Sequence, residues 1–136
     1  MQVYVDGSSL SRYLLDLPGH VQWCAWAAEH ESSFVTTPLG LMELRRAAIG
    51  LEAPARTRAF EVREEIAVIR FSDQALETAA MALTVLSPFA ALHLGVASSD
   101  PDISTLATYD KLLARVAVIY GLSVVSPGFG DGWWER

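Results

Sequence analysis

Segments with the pattern of β-strands and segments with the pattern of α-helices alternate along nearly the whole of this 136-residue chain. Short runs of β-branched and apolar residues predict five strands, at about 2–5, 33–36, 66–71, 103–108 and 123–125. Strands that alternate with helices form a parallel sheet, because each helix returns the chain to the same edge. We therefore expect an α/β fold of three α/β/α layers with a central parallel five-stranded sheet, in one domain over 1–136 whose tail is 126–136.

Apolar residues at one-turn spacing predict the helices between the strands. The first helix should end before Pro18-Gly19, and a later one should begin with Thr37 as its cap, Pro38 in its first turn and Gly50 at its end. Three of these helices carry stripes that we expect to face the core. The stripes are Leu10, Tyr13, Leu14 and Leu17; Val21, Cys24, Ala25 and Ala28; and Leu76, Ala79, Ala80 and Leu83.

Three acidic residues lie where strands of the predicted sheet end or where the next helix begins. Asp6 closes the first strand, Glu43 lies in the helix after the second strand, and Asp110 follows the fourth strand. The carboxyl ends of parallel strands form the binding crevice of an open α/β sheet. Carboxylates brought together there repel one another unless a cation lies between them. The pattern therefore predicts a hard-metal site and metal-assisted phosphodiester chemistry.

Each of these acids also has an ordinary structural interpretation. Asp6 and Asp110 could accept hydrogen bonds from the first backbone N–H groups of the helices that follow them. Glu43 could lie on the surface of its helix and pair with Arg45 or Arg46.

Charge and cysteine content exclude several classes of protein. The net charge of -6 argues against broad, non-specific nucleic-acid binding. Cys24 is the only cysteine, which excludes an internal disulfide and a cysteine-rich zinc site and fits a reducing cytoplasm. No apolar run approaches the roughly 20 residues of a membrane span, and no secretion signal is recognisable. We expect a cytoplasmic protein without a membrane segment.

Five segments together resemble the PIN-domain ribonucleases, specifically the VapC-type toxins of prokaryotic toxin–antitoxin pairs. Each motif alone is weak, but all five occur in the family's order and at similar separations. The resemblance extends over nearly the whole chain. Its segments are Val3 to Leu10 with the turn Asp6-Gly7-Ser8, Thr37 to Arg46 with Glu43, Ala91 to Leu94, Thr108 to Leu113 with Asp110, and Val124 to Gly128.

The resemblance implies a metal-dependent endoribonuclease toxin that hydrolyses structured RNA of the tRNA or rRNA class. It implies Mg²⁺ or Mn²⁺ as the cofactor, with Asp6, Glu43 and Asp110 as metal ligands and with Ser8 and Thr108 in supporting positions. It also implies a prokaryotic cytoplasmic protein, commonly a homodimer, that is neutralised by a cognate antitoxin. The antitoxin is expected to bind the helices around Tyr13 to Trp26 and the groove of the active site.

Ala90 is a departure from the family pattern, in which an aspartate precedes the Ala-x-His-Leu run. Either the site of a toxic nuclease has been deliberately inactivated, or this is a natural degenerate member. Removal of an acidic metal ligand should cost at least the ~10–100-fold typical of a disturbed outer-shell partner. We therefore expect the chain as written to have little activity. His93, three positions later, is expected to be a buried, hydrogen-bonded structural histidine.

Basic residues on helices that open or flank the crevice could hold RNA in spite of the acidic net charge. For each of them an ordinary solvated helix face is the alternative. The candidates are Arg12, Arg45, Arg46, Lys111 and Arg115.

Two other kinds of protein compete with the nuclease. A non-catalytic binding module would keep the fold and the partner surface while lacking the metal site, as Ala90 suggests. Another doubly wound domain would need motifs that are missing: Asp6-Gly7-Ser8-Ser9 stands where a dinucleotide fold has its glycine-rich turn, and a P-loop is absent. A phosphoacceptor receiver domain would need paired early acids and a lysine near the fifth strand, which we do not find.

Overall fold

The computed structural model describes residues 1–136 and contains one five-stranded sheet. The strand order is β3-β2-β1-β4-β5, and every neighbouring pair is parallel. The predicted three-layer α/β/α fold with a central parallel sheet is confirmed. The strands are β1 Gln2–Val5, β2 Phe34–Thr36, β3 Ala67–Val68, β4 Ile103–Ala107 and β5 Ser123–Val125.

Seven α-helices connect the strands, and polar side chains cap five of them. Each capping oxygen accepts a hydrogen bond from a backbone N–H of the first turn, which satisfies a donor that the helix itself cannot pair. The helices are α1 Gly7–Leu10, α2 His20–His30, α3 Pro38–Ala48, α4 Ala53–Glu65, α5 Asp73–Ala82, α6 Pro88–Ser99 and α7 Lys111–Ile119. The capping residues are Asp6, Thr37, Ser72, Ser87 and Asp110.

The sheet separates two apolar cores, one on each face. Tyr4 packs with residues of α5, α6 and α7, whereas its neighbour Val5 packs with residues of α1, α2 and α4. Successive side chains of a strand point to opposite faces, so the central strand β1 contributes to both cores. Asp6 is the next residue, and it therefore emerges at the carboxyl end of the middle of the sheet.

The helix after β1 is shorter than predicted. Helix α1 ends at Leu10, a 3₁₀ turn over Ser11–Tyr13 follows, and no helix continues to Leu17. Pro18 disfavours the helical conformation at Leu17, but the helical region has already ended at Tyr13, and the structure shows no local reason for that earlier end.

Two of the predicted buried stripes are wrong. In α2 the buried residues are Trp23 and Ala27, whereas Val21 and Ala25 are exposed. The large indole of Trp23 gains more by burial than the small side chains of the predicted stripe, and it rotates the helix accordingly. In α5 the buried residues are Ala75, Ala79 and Ala82, while the predicted Leu76 and Leu83 are exposed.

Strand β3 is shorter than the predicted 66–71 and lies at the edge of the sheet.

Near the C-terminus, Trp133–Glu135 form a 3₁₀ turn that packs near α7. None of the helices combines the length and the apolar character needed to span a lipid bilayer.

Candidate active site at the carboxyl end of the sheet

Asp6 is buried at the end of β1, with only 3% of its surface exposed. Its Oδ1 accepts hydrogen bonds from the backbone N–H of Ser9 at 2.9 Å and from the Ser8 hydroxyl at 2.7 Å. Its Oδ2 accepts a hydrogen bond from the Thr108 hydroxyl at 2.5 Å. Asp6 thus caps α1, as its structural interpretation required, and still holds a carboxylate at the edge of the sheet.

The Asp6 carboxylate is poorly neutralised. Burial raises its pKa above the ordinary value, against the opposing effects of the charge of His93 and of the hydrogen bonds from Thr108, Ser8 and Ser9. No Lys, Arg or His nitrogen lies within salt-bridge distance of it. A buried carboxylate without an ion pair is unusual in a folded protein and is often found at functional sites.

Glu43 extends from α3 over the backbone of Gly7, the residue next to Asp6. A Cβ atom at position 7 would lie 2.5 Å from Glu43 Oε2 and 2.6 Å from Glu43 Cβ, so only glycine permits this approach. The other oxygen, Oε1, lies 2.5 Å from Nε2 of His93 on α6. Glu43 therefore lies inside the crevice, and the alternative in which it pairs with Arg45 or Arg46 on the helix surface is not found.

His93 joins Glu43 to the central strand. Its Nδ1 lies 2.7 Å from the hydroxyl of Tyr4, which lies 2.9 Å from Oγ1 of Thr37. All of these groups except Glu43 are buried. The prediction of a buried, hydrogen-bonded histidine is confirmed, but His93 also contacts a candidate ligand directly. The sequence reading missed Tyr4, although a tyrosine inside a buried strand needs a polar partner for its hydroxyl.

Asp110 caps α7, with its Oδ1 accepting a hydrogen bond from Leu113 N at 3.1 Å. Its own backbone N–H donates to the Thr108 hydroxyl at 3.0 Å, and that same hydroxyl donates to Asp6. Ser8 extends the link, because its hydroxyl accepts from the backbone N–H of Tyr109 at 2.8 Å. Ser8 and Thr108 therefore tie the end of β4 to the end of β1.

Ala90 lies in the first turn of α6 and is buried. It precedes His93 by three residues, so the two Cβ atoms lie on neighbouring turns of one helix face. The backbone N–H of Ala90 donates to the hydroxyl of Ser87, which caps the helix, at 3.5 Å. A carboxylate at position 90 would be favoured by the helix dipole and would lie one turn from His93.

The carboxylates suit a hard divalent cation in kind, because Mg²⁺ and Mn²⁺ prefer oxygen ligands. Asp6 fits such an ion, being buried and unpaired with any cation. The three acids do not converge, however, and no group of three or more His, Cys, Asp or Glu side chains is arranged to hold a metal ion. Glu43 is engaged by His93 through Oε1 and Asp110 by Leu113 N through Oδ1, so in each carboxylate the second oxygen remains available to a cation.

The five basic candidates do not form one rim. Arg12 is half-buried beside the site, donating to the carbonyl of Ser8 at 2.7 Å, with its guanidinium 3.9 Å from the ring centre of Tyr109. Lys111 and Arg115 donate to backbone carbonyls of the C-terminal tail. Arg45 faces α4, and Arg46 is exposed on the surface of α3.

The large aromatic side chains of the helices around Tyr13 to Trp26, which were predicted to bind an antitoxin, contribute mainly to the core. Trp23 is fully buried and lies between the rings of Tyr13 and Phe34. Trp26 is half-buried and stacks on His30 at 4.4 Å between ring centres. The surface that remains for a partner is carried by smaller residues such as the exposed Val21.

Comparison with known protein families gives one match. A family model of the PIN domain matches residues 3–119 of the chain, from β1 to the end of α7. The matched part includes Asp6, Glu43, Ala90 and Asp110. PIN domains are generally metal-dependent nucleases. No curated protein sequence matches the chain.

Proposed function

This chain belongs to the PIN domain family, and from that premise we propose that it is a metal-dependent endoribonuclease toxin of the VapC type, weakened or inactivated at Ala90. The proposed substrate is structured RNA of the tRNA or rRNA class, and the proposed cofactor is Mg²⁺ or Mn²⁺. In this proposal a cognate antitoxin neutralises the toxin in a prokaryotic cytoplasm.

The observation that carries the proposal is the buried Asp6 carboxylate at the carboxyl end of the central strand. Ligands of open parallel sheets bind at this edge. Two hydroxyls and one backbone N–H orient the carboxylate, yet no cation neutralises it. Such an arrangement would be costly without a positively charged ligand.

Each residue of the site has a role in this proposal. Asp6 is the central ligand, and Ser8 and Thr108 hold its two oxygens in place. Glu43, packed on Gly7, and Asp110, at the start of α7, complete the acidic set. A divalent cation bound there would neutralise negative charge on the scissile phosphate and lower the pKa of an attacking water.

Ala90 explains why the carboxylates do not converge. An aspartate at position 90 would lie one helical turn from His93 and could pair with it. That aspartate would compete with Glu43 for His93, so that Glu43 could turn towards Asp6. In the chain as written His93 has only Glu43 as an acidic partner.

RNA cleavage tests the proposal most directly. The chain and its Ala90→Asp variant should be incubated with tRNA and with total RNA, with Mg²⁺ or Mn²⁺ and with chelator. We expect cleavage by the variant alone, stopped by chelator and by adding Asp6→Asn to the variant. If the variant is folded and inert on both RNAs, the nuclease proposal is wrong.

A catalytically degenerate binding module is the second candidate, and the Glu43–His93 pair favours it. A site that had lost metal binding would need a new partner for each remaining acid, and His93 provides one for Glu43. This candidate predicts that Ala90→Asp gains neither cleavage nor metal binding.

Partners in the proposal are a protein antitoxin, the RNA and a second copy of the chain. The antitoxin would cover the helices around Tyr13 to Trp26 and the crevice at Asp6. Exposed apolar residues such as Met81 and Val85 are available for a homodimer. Light scattering would measure the dimer, and loss of dimer in Met81→Asp would support that surface.

A further inference from the structure

An open groove of about 530 Å³ runs between α3 and α4. It lies on the face of α3 opposite Glu43, so it is separate from the candidate active site. Its apolar lining includes Leu41, Met42, Ile49 and Phe60. Phe60 is 62% exposed and Ile49 75% exposed, although each contributes a large apolar side chain.

The spacing of the lining residues shows that two helix faces form the groove. In α3, Leu41, Arg45 and Ala48 lie three or four positions apart, and in α4 the same holds for Ala59 and Arg63. Residues at this spacing form one continuous stripe along a helix. Two such stripes side by side form a track that matches the shape of a third helix.

All charged residues that line the groove are arginines: Arg45, Arg56 and Arg63. None of them forms a salt bridge, in contrast to Arg58 on the same helix, which pairs with Glu31 and Glu61. The chain as a whole carries a net charge of -6, so a purely basic groove is a local exception. Arg56 donates one hydrogen bond to the carbonyl of Leu51 at 2.5 Å. Its remaining N–H groups, with the guanidiniums of Arg45 and Arg63, provide sites for carboxylates of a ligand.

We propose that this groove binds an acidic amphipathic helix of a protein partner. Apolar side chains of the partner would pack on Phe60 and Ile49, and its carboxylates would pair with the arginines. Arg56 and Arg63 are seven residues apart, about two turns or ~10 Å along α4. Glutamates or aspartates two turns apart on the partner would therefore reach both guanidiniums.

RNA fits the groove less well than a helix. Phosphates would be attracted by the arginines, but the floor is largely aliphatic, and Phe60 is the only aromatic side chain in the lining. Unpaired bases bind chiefly by stacking on several aromatic or guanidinium planes. A helix with leucines on one face uses the whole aliphatic floor.

The test is peptide binding, measured by fluorescence anisotropy with the full chain. The probe is a labelled helical peptide of about three to four turns, with leucine every three to four residues and glutamate elsewhere. Its controls are the same peptide with lysine for glutamate and a scrambled peptide of identical composition. We expect binding of the acidic amphipathic peptide alone.

Variants locate the binding. Arg56→Glu/Arg63→Glu should weaken binding by about tenfold or more, because two attractive charge pairs become repulsive. Phe60→Ala should weaken it by about tenfold, as for other exposed aromatic anchors. Ile119→Asp, at the exposed end of α7, is the matched control and should leave binding unchanged. All four residues are exposed, so thermal unfolding should show intact folding.

Three results would overturn the proposal. The first is no binding of the acidic peptide, or equal binding of the scrambled or lysine peptide. The second is a homodimer in light scattering that Phe60→Ala dissociates, which would assign the groove to a second copy. The third is displacement of the peptide by a single-stranded RNA whose own binding is lost in Arg56→Glu/Arg63→Glu. None of these readouts depends on RNA cleavage.

Discussion

His93 on α6 and Glu43 on α3 are 50 residues apart in sequence, yet Nε2 of one lies 2.5 Å from Oε1 of the other. The pair connects the layer of α5–α7 to the crevice at the end of β1. His93 is almost fully buried, whereas about a quarter of the Glu43 side chain is exposed, at 27%. Protein atoms therefore surround His93, and water reaches the pair only at Glu43.

Replacement of His93 should reveal how much this pair contributes. His93→Leu leaves Glu43 without its partner, so we expect the free energy of unfolding to fall by about 2–3 kcal/mol. His93→Gln keeps a donor and should recover part of that loss. Urea unfolding followed by circular dichroism measures both, with the half-buried His30→Gln as the control. A His93→Leu variant as stable as the parent would contradict the prediction.

Gly7→Ala should disturb both the stability and the site. The added Cβ would lie 2.6 Å from Glu43 Cβ, which is not the flexible end of the side chain, so α1 and α3 must move apart. We expect a loss of about 1–3 kcal/mol, as for other overpacked positions. Gly130→Ala is the matched control, because a Cβ there would meet only the end of Arg136 at 3.4 Å. Equal thermal unfolding of the two variants would be evidence against a tight Gly7–Glu43 contact.

Thr108→Val removes a hydroxyl while keeping the shape of the side chain. Asp6 Oδ2 loses a donor at 2.5 Å in a buried contact, and the Asp110 N–H loses an acceptor at 3.0 Å in a partly buried one. We expect destabilisation of about 2–4 kcal/mol, because a hydrogen bond to a carboxylate is worth more than a neutral one. Thr108→Ser retains the hydroxyl and should recover most of it. A Thr108→Val variant as stable as the parent, or a Thr108→Ser variant that recovers none of the loss, would contradict the prediction.

Alkaline stability should depend on Tyr13. Burial raises its pKa above the ordinary 10.0, and the charge of Glu31, to which its hydroxyl donates at 3.0 Å, raises it further. A raised folded-state pKa means that the unfolded chain releases the proton first. The contribution to stability is then complete below about pH 10 and is lost as the pH rises above it.

Tyr13→Phe should therefore reduce the alkaline loss of stability. At neutral pH the variant should be less stable by about 1–3 kcal/mol because it lacks the bond to Glu31. Urea midpoints at about pH 8 and about pH 11 give the comparison. Burial also raises the pKa of Tyr4 and Tyr109, so part of the decline should remain. An unchanged slope in Tyr13→Phe would show that those two tyrosines account for the decline.

Metal binding can be measured without RNA. Mn²⁺ at about 100 times its dissociation constant should stabilise the Ala90→Asp variant by about 2.7 kcal/mol, or roughly 5–10 °C in Tm. The chain as written should shift much less, and Asp6→Asn should abolish the shift in the variant. Chelator should reverse it. Equal shifts in all three proteins would point to binding at surface acids instead.

Periodicity in the sequence was enough to predict the layers of the fold. Strands β1 and β5 lie where their patterns placed them, because side chains that alternate along a strand have a fixed direction. The buried faces of α2 and α5 were predicted less well. In α2 the small apolar residues of the predicted stripe differ little in burial energy, so the single large side chain of Trp23 decides the orientation. In α5 the alanines are buried instead of the leucines because α5 packs closely on α6, where a Cβ at Gly95 would overlap the carbonyl oxygen of Ala75.

The site was only partly predictable for a related reason. The position of Asp6 follows from the end of a central strand, and capping follows from its place before α1. The partner of Glu43 does not follow, because its choice between Arg46 and His93 depends on how α3 and α6 meet across the sheet. Two residues that meet only through tertiary packing have no characteristic spacing in the sequence by which their contact could be predicted.

The place of β1 in the middle of the sheet determines when the site can form. Its neighbour β4 and the Thr108 hydroxyl that holds Asp6 come from the far end of the chain, 102 residues later. Such distant pairings are slow to form, and they require most of the chain to be present. A growing chain on the ribosome would carry Asp6 with Ser8 and Ser9 early but would lack Thr108, which holds Oδ2, until 102 further residues had been added. For a protein proposed to cut RNA, this order of assembly would delay activity until β4 has been made and has paired with β1.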